Sequence, residues 1–317
     1  MRNIKKYLLY VFRAIKRMRY FPWRIQILDV LTKTLSIIGI YNQYLLRKMD
    51  NSMLSFLTRD YSEWIKNYKN LPIPEHGTDN SGTIWVCWFQ GEENAPLLVK
   101  KCIESIRRNA GSHPVILITL ENYMQYVDMP EHIMKLALEN QITLTQLSDI
   151  LRIKLLATHG GMWIDSTMFY CNPLNEDLWN EPFFSPPKTM YKKNHAFDSR
   201  MNDWGVGFQM AQKQHPLYIC LSDFYDLFYL KYPIEPHYFL VDYIGYIVLS
   251  ELGVRNTSAL LMNNHCIYVY MINSKKAGEV AFEEFLPTHL FYVTYKKKWP
   301  ERDKNGNLTV YGQLISM

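Results

Sequence analysis

Residues 144–170 read LTQLSDILRIKLLATHGGMWIDSTMFY, and this stretch decides the fold. Leu147, Leu151 and Leu155 recur every fourth residue, the spacing of one apolar ridge on a helix. Asp149 and Arg152 sit three apart and share a different face. Gly160 and Gly161 then stop the helix, and one of them is expected in the left-handed conformation. Met162-Trp163-Ile164 follows as a short buried strand, and Asp165 is a lone carboxylate inside the apolar run. Helix, Gly-Gly stop, strand and carboxylate form one unit that carries Asp149, Arg152 and Asp165 towards one region. Two plainer readings stay open: an i,i+3 ion pair for Asp149 and Arg152, and a turn residue ending a strand for Asp165. Against the second, the chain runs on as STMFY through apolar surroundings, and a carboxylate buried there needs a cation or hydrogen-bond donors.

Working outward, TIWVCWF (83–89) is β-branched and aromatic and ends at Gln90-Gly91, as a buried strand before a turn does. APLLVKKCIESIRRNAG (95–111) reads as a helix with a glycine stop. PVILITL (114–120) is a second short strand, helical segments fill the chain to about 159, and PFFSP (182–186) is a later extended segment. Strand alternating with helix predicts an α/β domain: a mixed, mostly parallel sheet flanked by helices. Ligands of such sheets bind at the carboxyl ends of the strands, here marked by Trp88, Gln90 and Asp165. Neither the GxGxxG of a dinucleotide fold nor the GxxxxGK[ST] of a P-loop is present.

The 317 residues are 48% hydrophobic, enough for a large core and too apolar for a disordered chain. Five scattered cysteines form no CxxC pair, so zinc knuckles and disulfide frameworks are not indicated, and reduced thiols in the cytosol are expected. The most apolar run, YFLVDYIGYIVLSELGV (238–254), is interrupted by Asp242 and falls short of the roughly 20 residues that span a bilayer. No signal-peptide pattern opens the chain. The net charge of +5 is unevenly spread: residues 1–70 hold 14 Lys/Arg against 4 Asp/Glu, and the rest hold 21 against 26. In MRNIKKYLLYVFRAIKRMRYFPW, Ile4, Leu8, Val11, Ile15 and Met18 share one helical face, and Lys5, Lys6, Arg13, Lys16 and Arg17 lie largely opposite. This predicts a helix lying on an anionic membrane through residues 1–24; a core-packing helix with a solvated basic face is the alternative. Nucleic acid is not an expected partner, because no Lys/Arg clusters accompany the segment elsewhere. The organisation expected is a helical extension (1–70), a Pro/Gly/Asn-rich linker (71–82) and a main domain (83–317).

SDILRIKLLATHGGMWIDST resembles a signature of glycosyltransferases with the GT-A fold, the relatives of the yeast initiating mannosyltransferase and the clostridial glucosylating toxins. It is similar, further, to the bacterial capsular polysaccharide synthesis family. That family has Asp-x-Thr where the others have Asp-x-Asp, here Asp165-Ser166-Thr167, after a strand like Ile84 to Gly91. The resemblance covers roughly residues 83–175. It implies a retaining hexosyltransferase that takes a nucleotide-diphospho-sugar and transfers to a lipid-linked saccharide in capsule synthesis. The site would be cytoplasmic, on the inner face of the cell membrane. By the same resemblance Trp88 would stack on the base, with Gln90 beside it. Asp149 and Arg152 would contact ribose, sugar or phosphates near Gly160, Gly161 and Thr167. Asp165 would hold the ribose or a divalent metal, Mg²⁺ or Mn²⁺. Thr167 is a neutral ligand in place of the usual second carboxylate, so the metal requirement is open.

In the carboxyl half, Asn202, Asp203 and Trp204 are candidate sugar contacts. HYFLVDYIGYIVLSE (237–251) reads as a buried helix containing Asp242, either a base near the acceptor or half of a structural ion pair. In PTHLFYVTYKKKW (287–299), His289 and Lys296 would close over the diphosphate if the resemblance extends that far. The rival from another class is a non-catalytic nucleotide-binding or scaffold protein at the membrane.

Overall fold

A computed structural model describes residues 2–74, 82–170, 173, 176–185, 204–254, 269–272, 290–293 and 300–317. Three helices open the chain: α1 (Arg2–Arg17), α2 (Trp23–Ile37) and α3 (Gln43–Lys66). The alternating region expected from sequence follows as β1 (Ile84–Cys87), α4 (Leu97–Asn109), β2 (Val115–Ile118), α5 (Glu131–Leu138), α6 (Leu144–His159) and β3 (Gly161–Ile164). Then come β4 (Met168–Tyr170), β5 (Phe183–Phe184), β6 (Phe208–Ala211), α7 (Pro216–Lys231) and α8 (Leu240–Leu252), with β7 (Val269–Ile272), β8 (Leu290–Val293) and α9 (Val310–Ser316) closing it. The main sheet has the order β2-β1-β3-β6-β5. β1 pairs parallel with both β2 and β3, and β6 turns antiparallel to β3 and β5. A second sheet joins β4, β8 and β7. The fold is therefore α/β with a mixed sheet and helices packed on it.

Side-chain alternation splits the interior in two. Trp85, Cys87 and Trp163 point into a large core with α6, α7 and α8, whereas Ile84, Val86, Met162 and Ile164 point into a smaller one with α4. The α6 helix is buried on nearly every side, including Arg152 and Lys154, so the face that Arg152 occupies lies inside the protein. Its start is set by a capping box: Thr143 accepts from the Gln146 N–H while the Gln146 side chain takes the Thr143 N–H.

Of the N-terminal region, α2, α3 and the link between α1 and α2 enter the same large core. Phe21 stacks on Phe228 of α7 (centroids 6.2 Å, planes 4° apart), and Phe56, Leu57, Tyr61 and Ile65 are buried with it. α1 packs inward through Tyr7, Tyr10, Ala14 and Arg17; Tyr7 meets Thr34 at 2.6 Å, and Tyr10 donates to Asp29 of α2. Its apolar residues Ile4, Leu8, Phe12 and Ile15 face outward, each at least 59% exposed. Of the expected stripe, only Val11 and Met18 are half-buried. Among the described residues no helix is long and apolar enough to cross a membrane. Cys87, Cys102 and Cys220 are buried free thiols.

Candidate functional site

Because β1 and β3 run parallel in register, with Ile84 opposite Met162 and Trp85 opposite Trp163, their carboxyl ends meet at one edge. Continuing that register sets Cys87 level with Asp165 and Trp88 level with Ser166. Asp165 is the first residue beyond β3; its carbonyl accepts from the Met168 N–H at 2.9 Å, so Asp165 to Met168 form a tight turn into β4. The turn reading was thus correct as geometry, and the turn holds its carboxylate inside. Trp163, two residues earlier on the same face, donates its indole N–H to Asp165 Oδ1 at 2.8 Å. The Asp165 amide donates to the Gly207 carbonyl at 2.8 Å. A β-carbon at Gly207 would lie 3.0 Å from Asp165 Oδ2, so the carboxylate occupies the space this glycine leaves. Burial raises the Asp165 pKa above the ordinary carboxylate range, with the Arg152 guanidinium opposing that rise.

Arg152 comes up from α6 beneath this turn. It is 2% exposed, pairs with Asp149, donates to the Val206 carbonyl, and lies 5.2 Å from the Trp163 ring centroid. Asp149 and Arg152 therefore do form the ion pair that the sequence allowed, and Arg152 is committed to protein partners on two sides. Burial pushes the Asp149 pKa up to about 7; Arg152 counteracts it, while nearby Asp165 and Asp242 add to it. Asp242, 2% exposed, sits in the first turn of α8, where the helix N-terminus favours an acid. The structure thus brings Asp149, Arg152, Asp165 and Asp242 into one electrostatic cluster. Trp88 is half-buried beside the smaller core, on the opposite face of the sheet from Trp85, as alternation predicts. Gln90 is exposed in the turn after β1, and Thr167 is partly exposed in the turn after β3.

Gly160 and Gly161 shape the helix-to-strand passage. Both have positive φ, 66° and 93°. The positive φ expected of one glycine is found at both, and Gly160, with ψ of −155°, lies outside the left-handed helical basin. A β-carbon there would meet the Lys213 backbone nitrogen at 2.5 Å and the Ala211 oxygen at 2.9 Å. The glycine lets the helix end press against the β6–α7 connection, and its carbonyl accepts the Trp85 indole N–H at 2.9 Å.

Trp204 is not a sugar contact. It is 1% exposed, stacked near Phe183 at 6.0 Å, and lies flat on α8 where Gly245 leaves no β-carbon to displace it. Asn202, Asp203, His289 and Lys296 lie outside the described residues.

Residues that the sequence did not single out complete the cluster. Glu235 is buried and takes hydrogen bonds from Gln146 and Tyr229; burial still pushes its pKa up to about 8. Tyr238 is 54% exposed, yet feels Asp149, Asp165, Asp242 and Glu235, which together with burial raise its pKa to about 12. It is an exposed ring within electrostatic reach of the carboxylate cluster. Two N-terminal contacts hold its loop: Gln26 donates to the Pro236 carbonyl at 2.9 Å, and Asp29 meets His237 at 3.3 Å. Gly207, packed on Asp165, was the one signal that the sequence did offer, as the second glycine of WGVGF.

The divalent metal implied by the resemblance finds one carboxylate, Asp165, and one hydroxyl, Thr167, at the turn. Among the described residues no three His, Cys, Asp or Glu side chains gather to hold an ion. Asp165 already has an indole N–H on one oxygen and Gly207 against the other. These side chains do not by themselves build a divalent-cation cage.

The fold and this edge define an α/β protein with a buried acidic cluster at the carboxyl ends of its parallel strands, the place where such folds hold ligands. The chain belongs to the capsular polysaccharide synthesis protein family, whose model matches residues 38–314. No curated protein matches it. Membership gives the chain a role in capsular polysaccharide synthesis.

Proposed function

We propose that the protein is a glycosyltransferase that moves a sugar from a nucleotide-diphospho-sugar to a lipid-linked saccharide at the cytoplasmic face of the membrane. The observation that carries this reading is the placement of Asp149 and Asp165 around Arg152 at the carboxyl edge of β1 and β3, with Asp242 close enough to act on Asp149. Carboxylates at that edge suit a ligand rich in hydroxyls, because each carboxylate oxygen accepts from a ribose or sugar hydroxyl. In this reading Asp165 accepts from the donor's ribose or sugar. Trp88 offers a ring face to the base, with Gln90 beside it, and Thr167 lines the turn. Tyr238 offers an amphipathic ring within reach of the cluster, where sugar hydroxyls and an aromatic face suit each other.

Arg152 has a positioning role, holding Asp149 and Asp165 in place, rather than that of a free phosphate clamp. Breaking the donor's glycosidic bond builds negative charge on the leaving diphosphate. His289 and Lys296 stay candidates for meeting that charge. If the leaving diphosphate itself takes the acceptor proton, the reaction retains configuration and needs no protein base. If inversion operates instead, Asp242 is the carboxylate assigned to the incoming hydroxyl.

A thermal-shift panel of UDP-, GDP- and CMP-sugars, with and without Mn²⁺, tests the reading. A ligand bound only by the folded state raises the melting temperature. One nucleotide class is expected to do so, and a transfer assay with that donor then follows the sugar. No response to any nucleotide would favour the scaffold reading, which the neutral Thr167 in place of a second carboxylate keeps in play.

A further inference from the structure

The outward surface of the N-terminal helices has two properties that the core does not explain. The first is apolar exposure arranged in stripes. On α1, with 3.6 residues per turn, Ile4, Leu8, Phe12 and Ile15 form one stripe, Lys5, Lys6, Arg13 and Lys16 a second, and the inward Tyr7, Tyr10 and Ala14 a third. α2 runs antiparallel beside it, as the Tyr7–Thr34 and Tyr10–Asp29 contacts show. It exposes Trp23, Ile27 and Leu31 at four-residue steps. The turn into α3 then exposes Ile37, Ile38, Ile40 and Tyr41, each at least half accessible. The second property is the sign of the charge. Up to Asp60 the only acids are Asp29 and Asp50, and both are buried, on Tyr10 and His237 and on Tyr243 respectively. The charges left on this surface are therefore cations.

Beside the stripes, α2 and α3 enclose a cleft of about 460 Å³ lined by Arg24, Lys48, Asn51, Ser52 and Ser55. Two cations, an amide and two hydroxyls, with no acid among them, are complementary to a phosphate group. Lys48 Nζ stands 4.3 Å from the Tyr44 ring centroid, and Tyr44 is 63% exposed.

We propose that the outer face of α1, α2 and the α2–α3 turn docks on an anionic bilayer, with the Arg24–Lys48 cleft taking the phosphate of a lipid headgroup. This deepens the membrane part of the reading above and extends the contact beyond residues 1–24. An apolar band bordered by cations that meet no acid among the described residues is what an interfacial helix needs: the band enters the headgroup boundary and the cations meet anionic lipid. A second copy of the chain fits the face poorly, because it would set cations against cations with no exposed acid to meet them. Nucleic acid gives the Ile/Leu/Phe stripes nothing to bury against. Docking through α2 would also fix the site's height above the bilayer. Gln26 and Asp29, on the inner side of that helix, hold the loop that carries Tyr238.

The test is co-sedimentation of the full-length protein with phosphatidylcholine vesicles and with phosphatidylcholine–phosphatidylglycerol vesicles, with melting temperature and nucleotide thermal shift measured on every variant. Ile27→Glu with Ile38→Glu, both outside residues 1–24, is expected to cut vesicle binding at least tenfold at an unchanged melting temperature. Arg24→Ala with Lys48→Ala should weaken binding to the anionic vesicles by about thirtyfold, at about 1 kcal/mol per cation, and leave binding to the neutral ones unchanged. At constant ionic strength, inorganic phosphate should compete for the cleft and weaken the parent's binding to the anionic vesicles, but not that of the Arg24/Lys48 variant; a phosphate-induced thermal shift with no effect on vesicle binding would assign the cleft to free phosphate and overturn the headgroup assignment. Wild-type binding by the Ile27/Ile38 variant would overturn the docking face. Wild-type binding by the Arg24/Lys48 variant would overturn the cleft. A dimer that the Ile27/Ile38 substitutions dissociate, with no vesicle binding by the parent, would assign the face to a second copy instead. Nucleotide thermal shift reports the donor site separately, so failure of docking and failure of the transferase reading are distinguishable.

Discussion

At the scale of single residues, the chemistry concentrates in carboxylates whose environment resists their charge. Asp165 illustrates the balance: an indole N–H and a backbone carbonyl contact orient it, while burial raises its pKa. Asp165→Asn keeps the shape and removes the charge, so it should fold with an equal or higher melting temperature, since burying a carboxylate is costly. Transfer should fall by about a hundredfold or more, the scale of one electrostatic contact in a transition state. An unfolded Asp165→Asn protein would make the carboxylate structural; normal transfer would move the site elsewhere. Asp149 and Glu235 predict a pH dependence of stability. Their ordinary values of 3.8 and 4.5 rise to about 7 and about 8 on folding. The folded protein then holds protons that the unfolded chain releases, so stability is fullest below about 4 and declines as pH rises towards 8. Buried His215 works the other way, lowered from 6.5 to about 4, so its loss of stability comes as pH falls from 6.5. Above 6.5 His215 no longer opposes the carboxylates. The melting temperature should fall between 6.5 and 8, and Glu235→Gln should flatten the fall. A flat profile in the parent would mean that these groups are ionised in the fold.

The decisive element is the passage from α6 into β3. α6 starts on a reciprocal cap, ends on a glycine pressed against the β6–α7 backbone, and delivers Arg152 beneath the strand end that carries Asp165. Gly160→Ala combines positive φ with a β-carbon 2.5 Å from the Lys213 nitrogen, so it should destabilise by on the order of 3 kcal/mol or more. Denaturant unfolding measures this; a cost below about 1 kcal/mol would mean that the connection can move aside. Between α2 and the loop before α8, Gln26→Ala removes the donor to Pro236 and should cost about 1–3 kcal/mol for a carbonyl left without its partner. If that loop positions the acceptor, the same variant should raise the acceptor KM more than the donor KM; an unchanged acceptor KM would limit the contact to stability.

For the whole molecule, Phe21, α2 and α3 share one core with the sheet, and this changes what a truncation reports. Removing residues 1–24 deletes the outward apolar stripe of α1, but also Phe21 from the core and the Tyr10 and Arg17 partners of Asp29. Such a truncation should lower the melting temperature sharply, since losing one buried Phe alone costs about 3–5 kcal/mol. Loss of vesicle binding would then not be separable from unfolding, whereas outward substitutions leave the core intact. A truncated chain that melts like the parent would show that α1 is energetically independent of the rest. The family match begins at residue 38, between α2 and α3, so the two helices with most of the outward apolar surface precede the matched region.

The sequence by itself determined the local units and their order: the leucine ridge of α6, the Gly-Gly stop, strands within 83–89 and 114–120 and at 162–164, and the alternation that makes an α/β sheet. It also placed Asp149, Arg152 and Asp165 on one unit and separated the faces of Trp85 and Trp88, because periods of 3.6 and 2 are local properties. The antiparallel β6 and the second sheet escaped it, since FQMA is too short and too apolar to reveal a pairing direction. Only the tertiary structure decided what each polar group meets. Trp204 looks like a loop residue in NDWG, yet Gly245, forty-one positions later, gives it a bed in the core. Glu235 and Tyr238 join the acidic cluster because the loop between α7 and α8 returns to the start of α6, where Gln146 donates to Glu235, a contact that no spacing records. The apolar face of α1 turns outward for the same reason. A helix's periodicity shows that it has a face to bury, but its partner, here Tyr7, Tyr10 and Ala14 against α2, is settled by long-range packing.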